Sequence, residues 1–244
     1  KEPIENPKNM EEWCLANVGR EIYEIFIEGY SSKQWARHPR ELPASIIKRV
    51  PIRLTFDDNY FNDRYQGIPI GGYTSIFEKM LDGIPVELNT DFHLDRETFL
   101  SNFDHVIFTG PIDSFFDYSL GHLEYRSLRF DHQLVDCPDF QGNAVINHTE
   151  AQIPYTRTYE HKHFDMNFTA DRSAVTYEYP DKWEPGKIEI YPVNTDENQT
   201  LFSKYQDMTK ELPNVTFGGR LGQYRYYDMH QVIGAALEKV KSLA

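Results

Sequence analysis

Read for the spacing of its apolar residues, the chain opens on a helix. Asn9 followed by Glu12 has the form of an N-cap with its capping-box partner, and Trp13, Ile22, Ile25 and Phe26 supply apolar positions until Gly29 ends the run. A shorter helix is predicted from near Gly72 to Gly83, with Ile76, Phe77, Met80 and Leu81 at helical spacing. The period then falls to two. Residues 86–89 alternate, and Val106–Phe108, closed by Thr109-Gly110-Pro111, is a buried run of strand length. Between about residues 125 and 191, short Tyr-, Val- and Ile-bearing segments broken by Asn, Asp, Gly and Pro predict an antiparallel sheet. A polar helix over 201–210, a strand at Val215–Phe217, a Gly218-Gly219 turn and a last helix follow. That helix places Val232, Ile233, Ala236, Leu237 and Val240 on one stripe.

This order predicts a mixed α+β chain. It divides into a helical segment over 1–82, a strand-bearing segment over 83–112, an antiparallel β-sheet domain over 113–200 and a returning strand–turn–helix over 201–244. The returning unit has no visible partner strand, so it is expected to complete a sheet begun before Lys1.

Composition narrows the function. A formal net charge of −13 argues against a nucleic-acid partner, because phosphate backbones are held largely by Lys and Arg. Arginines nonetheless gather locally, at Arg37, Arg40, Arg49 and Arg53, at Arg126 and Arg129, and at Arg220 and Arg225, so an anionic ligand could find a positive pocket. No run approaches the ~18 apolar residues of a membrane span, and the first residues lack the pattern of a signal peptide. Two cysteines, Cys14 and Cys137, fit a reducing compartment. The chain is therefore expected to be cytoplasmic.

Four segments could carry chemistry. Gly29-Tyr30-Ser31-Ser32-Lys33-Gln34-Trp35 offers flat rings beside polar donors, suited to a nucleobase or sugar face, or else two core residues at a helix end. In the stretch from Glu41 to Arg53, prolines flank arginines whose planar forks match phosphate oxygens, unless they form a solvated basic face. His161 and His163 would share a face in a strand, one way to begin a metal site, but no third ligand is evident and none is expected. Gly218-Gly219-Arg220-Leu221-Gly222-Gln223-Tyr224-Arg225-Tyr226-Tyr227-Asp228-Met229 lies between a strand and an amphipathic helix, where glycines let backbone approach an anion closely, although such a loop can also be only a turn.

Taken in order, GYSSKQW, ELPASIIKRVPIR, DDNYFND, QGIPIGGYT, IPYTRTYEHKHF, IYPVN and GGRLGQYRYYDM resemble the UDP-galactopyranose mutase family from about Asn9 to the C-terminus. The resemblance implies a homodimeric flavoenzyme, with FAD in its reduced form, that interconverts the pyranose and furanose forms of UDP-galactose through a covalent adduct between flavin N5 and the sugar. It implies that Arg49 and Arg157 grip the substrate diphosphate as catalytic residues. It gives substrate-binding roles to Tyr30 (uracil stacking), Ser31, Trp35 (sugar pocket), Tyr60, Arg126, Asn147, Tyr191 and Tyr226, with UDP as the shared ligand. Gly219, Arg220, Asp228 and Met229 would lie at the flavin, with 1–82 part of a helical substrate domain and 83–112 and 201–244 pieces of a discontinuous, Rossmann-like FAD-binding domain. Ser31 stands where many relatives have Thr, and Glu178-Tyr179-Pro180-Asp181-Lys182-Trp183 replaces a Ser-Arg version, which puts the local loop shape in question.

No Gly-x-Gly-x-x-Gly occurs, so the family's flavin-binding opening is expected before Lys1, and the chain alone is expected to lack mutase activity. Two other readings stay open. One is a nucleotide-sugar or carbohydrate-binding module without catalysis, for which 16 tyrosines and paired arginines would serve. The other is a different FAD-dependent oxidoreductase of the same broad fold, such as an amine oxidase relative.

Overall fold

The computed structural model describes residues 1–48, 50–57, 59–165 and 168–243. Helix α1 (Met10–Asn17) starts where the polar pattern places it, with the Asn9 side chain accepting from the Glu12 amide at 2.9 Å. The returning arm is shifted by one residue: Glu12 accepts from the Lys8 amide at 2.8 Å, not from Asn9. Gly19, at φ +92°, breaks the helix. Beyond it α2 (Arg20–Ile22), a π-helical segment Tyr23–Glu28 and α3 (Gly29–Trp35) run on without interruption.

Gly29 therefore does not stop the helix, contrary to the sequence reading. Its φ of −64° is helical, and the left-handed stop comes at Ala36, φ 51°. A glycine is present at 29 for a different reason. A Cβ there would collide with the Thr149 carbonyl oxygen and stand 3.2 Å from the Ala151 nitrogen, so backbone approaches backbone at this point.

The remaining elements are α4 (Ser45–Lys48), α5 (Thr74–Met80), α6 (Arg96–Asn102), β1 (Val106–Phe108), α7 (Ile112–Phe115), β2 (Tyr125–Val135), β3 (Val145–Asn147), β4 (Arg157–Glu160), β5 (Ser173–Lys182), β6 (Tyr191–Pro192), α8 (Asp196–Thr209), β7 (Val215–Phe217), α9 (Gly219–Gly222) and α10 (Met229–Leu243). The mixed α+β class follows. Residues 86–89 form no strand: Val86 and Leu88 are exposed, so their alternation buries nothing. Residues 178–182, where a loop was in question, lie inside β5.

Contacts divide the chain into two units. Unit 1 comprises Lys1–Ile84 and Leu128–Asp181. Its sheet is antiparallel, in the order β3, β4, β5, β2. Asn147 lies opposite Arg157 across β3 and β4, and Arg157 opposite Glu178 across β4 and β5. Met10, Cys14, Leu15, Tyr23, Trp35 and Leu42 are buried in the helical part, where the Met10 amide donates to the Leu42 carbonyl at 2.9 Å.

Unit 2 comprises Pro85–Ser127 and Lys182–Ala244. Here β7 does have a partner: it pairs in parallel with β1, Val106 against Val215, which corrects the expectation that the C-terminal strand stands alone. The link between the two is long enough to form the crossover that parallel pairing demands. The first residues of β2 pair with β6, Arg126 against Tyr191. Two apolar clusters fill the unit. One gathers Ile112, Leu123, Tyr125, Trp183, Phe202, Tyr205 and Tyr224, and the other centres on Phe108, Phe115 and Val215. Tyr224 ties the first cluster to the backbone, its hydroxyl donating towards the Glu124 and Val193 carbonyls at 2.6 and 3.0 Å. The stripe on α10 is present but exposed at Ile233, Leu237 and Val240. No helix among the described residues is long and apolar enough to cross a membrane.

Candidate functional site

In unit 1 the register of the sheet assembles a group around Arg157. Residues directly opposite in adjacent antiparallel strands project on one face, so Asn147, Arg157 and Glu178 form a row. Arg157 Nε donates to Asn147 Oδ1 at 3.0 Å, and Nη1 stands 3.4 Å from the Tyr159 hydroxyl and 3.6 Å from Glu178 Oε2. Tyr30, half-buried on α3, presents its ring 5.9 Å from the guanidinium carbon. Burial works against the charge on Arg157, but Tyr30, the Glu178 carboxylate and Tyr159 outweigh it, and the pKa is raised.

Glu178 is almost fully buried and is itself pinned, accepting from Thr156 Oγ1 at 2.8 Å and from the Tyr159 hydroxyl. The result is a fixed cation beside an aromatic face, with Nη2 engaged by no described residue. Such a fork matches the oxygens of a phosphate or carboxylate.

The other unit 1 candidates are placed differently. Ser31 and Trp35 are buried on α3, and Tyr60 is about half exposed with its ring edge-on to Phe61. Arg49 lies outside the described residues. Its neighbour in sequence, Arg53, organises its own loop through the Asn59 carbonyl, Asn62 Oδ1 at 2.6 Å and Asp57 at 3.4 Å. Arg40 is bound to Glu11, and Arg129 covers the Tyr179 ring at 3.9 Å. Of the arginine gatherings legible in the sequence, these members have structural partners.

Unit 2 holds a second group. Tyr191 and Tyr226 stack with centroids 5.3 Å apart and planes 15° from parallel. The Arg220 guanidinium lies 4.4 Å from the Tyr226 ring and 5.4 Å from that of Tyr191. Its Nε is buried with no hydrogen-bond partner among the described residues. Arg126, also buried, sits across the ladder from Tyr191. Two cations and two stacked rings thus share the start of β2, β6 and the segment after β7.

Gly219 adopts φ +73°, and a Cβ on Gly222 would lie 3.1 Å from the Phe108 carbonyl oxygen. The glycines therefore seat the single-turn α9 against the end of β1. The long helix starts at Met229, at the end of the glycine-bearing segment, with Asp228 half-buried at its start and Met229 exposed.

His161 and His163 do not share a strand face, because 161–164 is a turn of 3₁₀ helix. His161 meets Thr176 Oγ1 at 2.6 Å, whereas His163 lies 3.2 Å from Asp139 and 3.4 Å from Glu160. Asp139, Glu160 and His163 bring their ligand atoms within 4.8 Å of one another, a grouping the sequence reading missed because Asp139 is distant in the chain. Glu160 is fully buried and already supplied with donors: the Phe140 and Gln141 amides at 2.9 and 2.8 Å, Ser173 Oγ, and Lys162 Nζ at 3.4 Å. Burial raises its pKa, the donors lower it further, and the net position is about 2. The group has the chemistry of a satisfied structural carboxylate.

Compared with known proteins, residues 25–226 match the family model described as UDP-galactopyranose mutase. The chain is 41% identical over 237 residues to a probable UDP-galactopyranose mutase of Klebsiella pneumoniae, covering 96% of this chain and 61% of the relative. It is 38% identical over 240 residues to a dTDP-fucopyranose mutase of Escherichia coli, covering 96% and 64%. The chain thus spans a little over three-fifths of the length of these relatives. A crystal structure of reduced UDP-galactopyranose mutase matches with a TM-score of 0.68 over 100% of this chain and 69% of that one. The identity is 16%, a likeness of fold alone.

Proposed function

Because the chain belongs to the UDP-galactopyranose mutase family, we propose that the full-length protein is a flavin-dependent isomerase that interconverts the pyranose and furanose forms of UDP-galactose. The observation that carries this is the Arg157 fork, fixed by Asn147 and Glu178 beside the half-buried face of Tyr30. In this reading Tyr30 stacks on the uracil and Arg157 holds the diphosphate, a role Arg49 shares by resemblance. Trp35 and Ser31 shape the sugar side from α3, and Tyr60 and Asn147 add hydrogen bonds. By the same resemblance, Tyr191 and Tyr226 in unit 2 match tyrosines that hydrogen-bond a diphosphate, and Arg126 matches a further substrate-binding residue.

FAD is the cofactor of this reading, and the residues present suit it. An arginine with a buried unpartnered Nε, next to glycines that bring backbone close, is a fit for a pyrophosphate. Gly219 and Arg220 would hold that group, with Asp228 and Met229 near the ring. Bound and reduced, the flavin supplies the nucleophile for the anomeric carbon. The protein's residues bind, orient and balance charge. UDP departs with one more negative charge on its diphosphate than the sugar nucleotide carries, and a cation already fixed where that charge develops stabilises the transition state without reorganising. Holding the released UDP also keeps it in position to return. A cytoplasmic homodimer is part of the same reading.

A second reading is a dTDP-linked 6-deoxy sugar as substrate, favoured by a dTDP-fucopyranose mutase standing nearly as close in identity as its UDP-galactose counterpart. Both are tested by incubating the full-length protein, reduced with dithionite, with UDP-galactofuranose or dTDP-fucofuranose and following the pyranose product by chromatography. Faster conversion of one assigns the substrate. Conversion of neither overturns the proposal.

A further inference from the structure

The GYSSKQW motif contains a cation that the ligand roles leave unused. Lys33 Nζ donates to four backbone carbonyls, those of His148, Glu150, Ile153 and Tyr155, at 2.8, 2.9, 3.1 and 3.1 Å. An ammonium has three hydrogens, so four acceptors saturate it. All four belong to the loop joining β3 to β4. The β3–β4 ladder ends at Asn147 and Arg157, with one further bond from the His148 amide to the Thr156 carbonyl at 2.9 Å. Beyond that point these carbonyls have no strand to pair with, and Lys33 takes the place of one.

The loop begins right after Asn147 and ends right before Arg157, the hydrogen-bonded pair at its mouth. Lys33 lies three residues after Tyr30 and four after Gly29, all on one helix face. On that face Gly29 lets the backbone at Thr149 and Ala151 close in, Lys33 clasps the loop carbonyls, and Tyr30 faces Arg157. A helix interior, a loop and a sheet edge are thereby locked in one arrangement.

We propose that Lys33 is a positioning residue: by clasping the β3–β4 loop it sets Arg157 and Asn147 against Tyr30, and so governs nucleotide affinity without touching the ligand. This rests on the reading that Arg157 and Tyr30 hold the nucleotide diphosphate. Burial lowers the Lys33 pKa, and the nearby charge of Glu150 opposes the shift.

The test uses the full-length protein with Lys33→Met, Lys33→Arg and Lys33→Ala. UDP affinity is measured by calorimetry, kcat and KM by turnover, and loop order by amide exchange over residues 148–156. Lys33→Met is expected to raise the Kd for UDP at least tenfold and to speed exchange in the loop while the rest of unit 1 stays protected. KM should rise more than kcat falls. Lys33→Arg, which keeps the charge but cannot reach all four carbonyls, should fall between. If Lys33→Met does not fold, the arginine variant carries the same comparison. In Lys33→Ala, n-propylammonium should restore UDP affinity and loop protection where tetramethylammonium at equal ionic strength does not, a rescue that lost packing alone would not show.

An unchanged Kd in a folded Lys33→Met or Lys33→Arg protein, when Arg157→Lys weakens UDP, overturns the proposal, and so does unaltered loop exchange. Should Arg157→Lys also leave UDP binding intact, the ligand assignment itself falls, and with it the role given to Lys33 in affinity.

Discussion

Arg157 and Glu178 face one another across β4 and β5 in direct register, guanidinium Nη1 3.6 Å from a carboxylate that is almost wholly buried. The pair fixes the direction of the fork while Asn147 holds its Nε end. A point charge cannot satisfy both partners and still present a planar edge to a phosphate. Arg157→Lys in the full-length protein should therefore lower kcat/KM by a factor corresponding to about 2–4 kcal/mol, with thermal stability changed much less. Steady-state kinetics on UDP-galactofuranose reads this directly, and unaltered turnover would remove Arg157 from the chemistry.

Tyr30 supplies the ring on the other side of that group. If uracil stacks there, Tyr30→Ala should weaken UDP binding by about 1–3 kcal/mol, the range of a lost base-stacking platform, and Tyr30→Phe should weaken it far less. Superimposable titration curves for the wild-type and alanine proteins would place the base elsewhere.

Glu160 anchors the turn at Phe140 and Gln141 with a carboxylate held at about 2, below its ordinary 4.5. A depressed carboxylate contributes stability that is fully present above the unfolded pKa and lost as pH falls through the folded one. Unit 1 should accordingly weaken between about pH 4.5 and pH 2, and Glu160→Gln should cost about 2–3 kcal/mol at neutral pH while flattening that acid limb. Denaturant melts of the two proteins at pH 7, 4 and 3 test the sign. Parallel pH profiles would show that Glu160 is not the titrating group.

The two cysteines should differ in reactivity. Cys14 has no exposed surface and burial pushes its thiol up to about 11, whereas Cys137 is partly exposed. Since the thiolate is the reacting species, iodoacetamide at pH 8 should modify Cys137 in the native protein and reach Cys14 only after denaturation. Peptide mass spectrometry distinguishes the two sites, and early labelling of Cys14 would mean that the α1 core opens readily.

The fold was legible where a local signal and the tertiary partner agree. Asn9 caps α1 because the acceptor and the amide it serves are three residues apart, and 106–108 and 215–217 form strands because short β-branched and aromatic runs have few other uses. The parallel pairing of those two strands was not legible, since more than 100 residues separate them and no local pattern encodes which strands adjoin. Gly29 was misread for a related reason. A glycine near a helix end ordinarily marks a stop, but this one answers to Thr149, far away in the chain.

For the site, the resemblance supplied names, and the structure supplies local groupings within each unit. Lys33 and Glu178 went unrecognised as contributors because their partners are carbonyls and an arginine reached only through sheet register.

The π-helical segment at Tyr23–Glu28 carries a consequence for anyone reshaping this protein. Successive α-helical residues rotate by about 100°, and a wider turn accommodates an extra residue without breaking the rod. Excising one residue from 23–28 would be expected to regularise the rod and swing every downstream side chain, Tyr30 and Lys33 included, by roughly a quarter turn around its axis. The angular aim of the whole motif is thus stored upstream of it, in a stretch to which the proposed reading gives no ligand role.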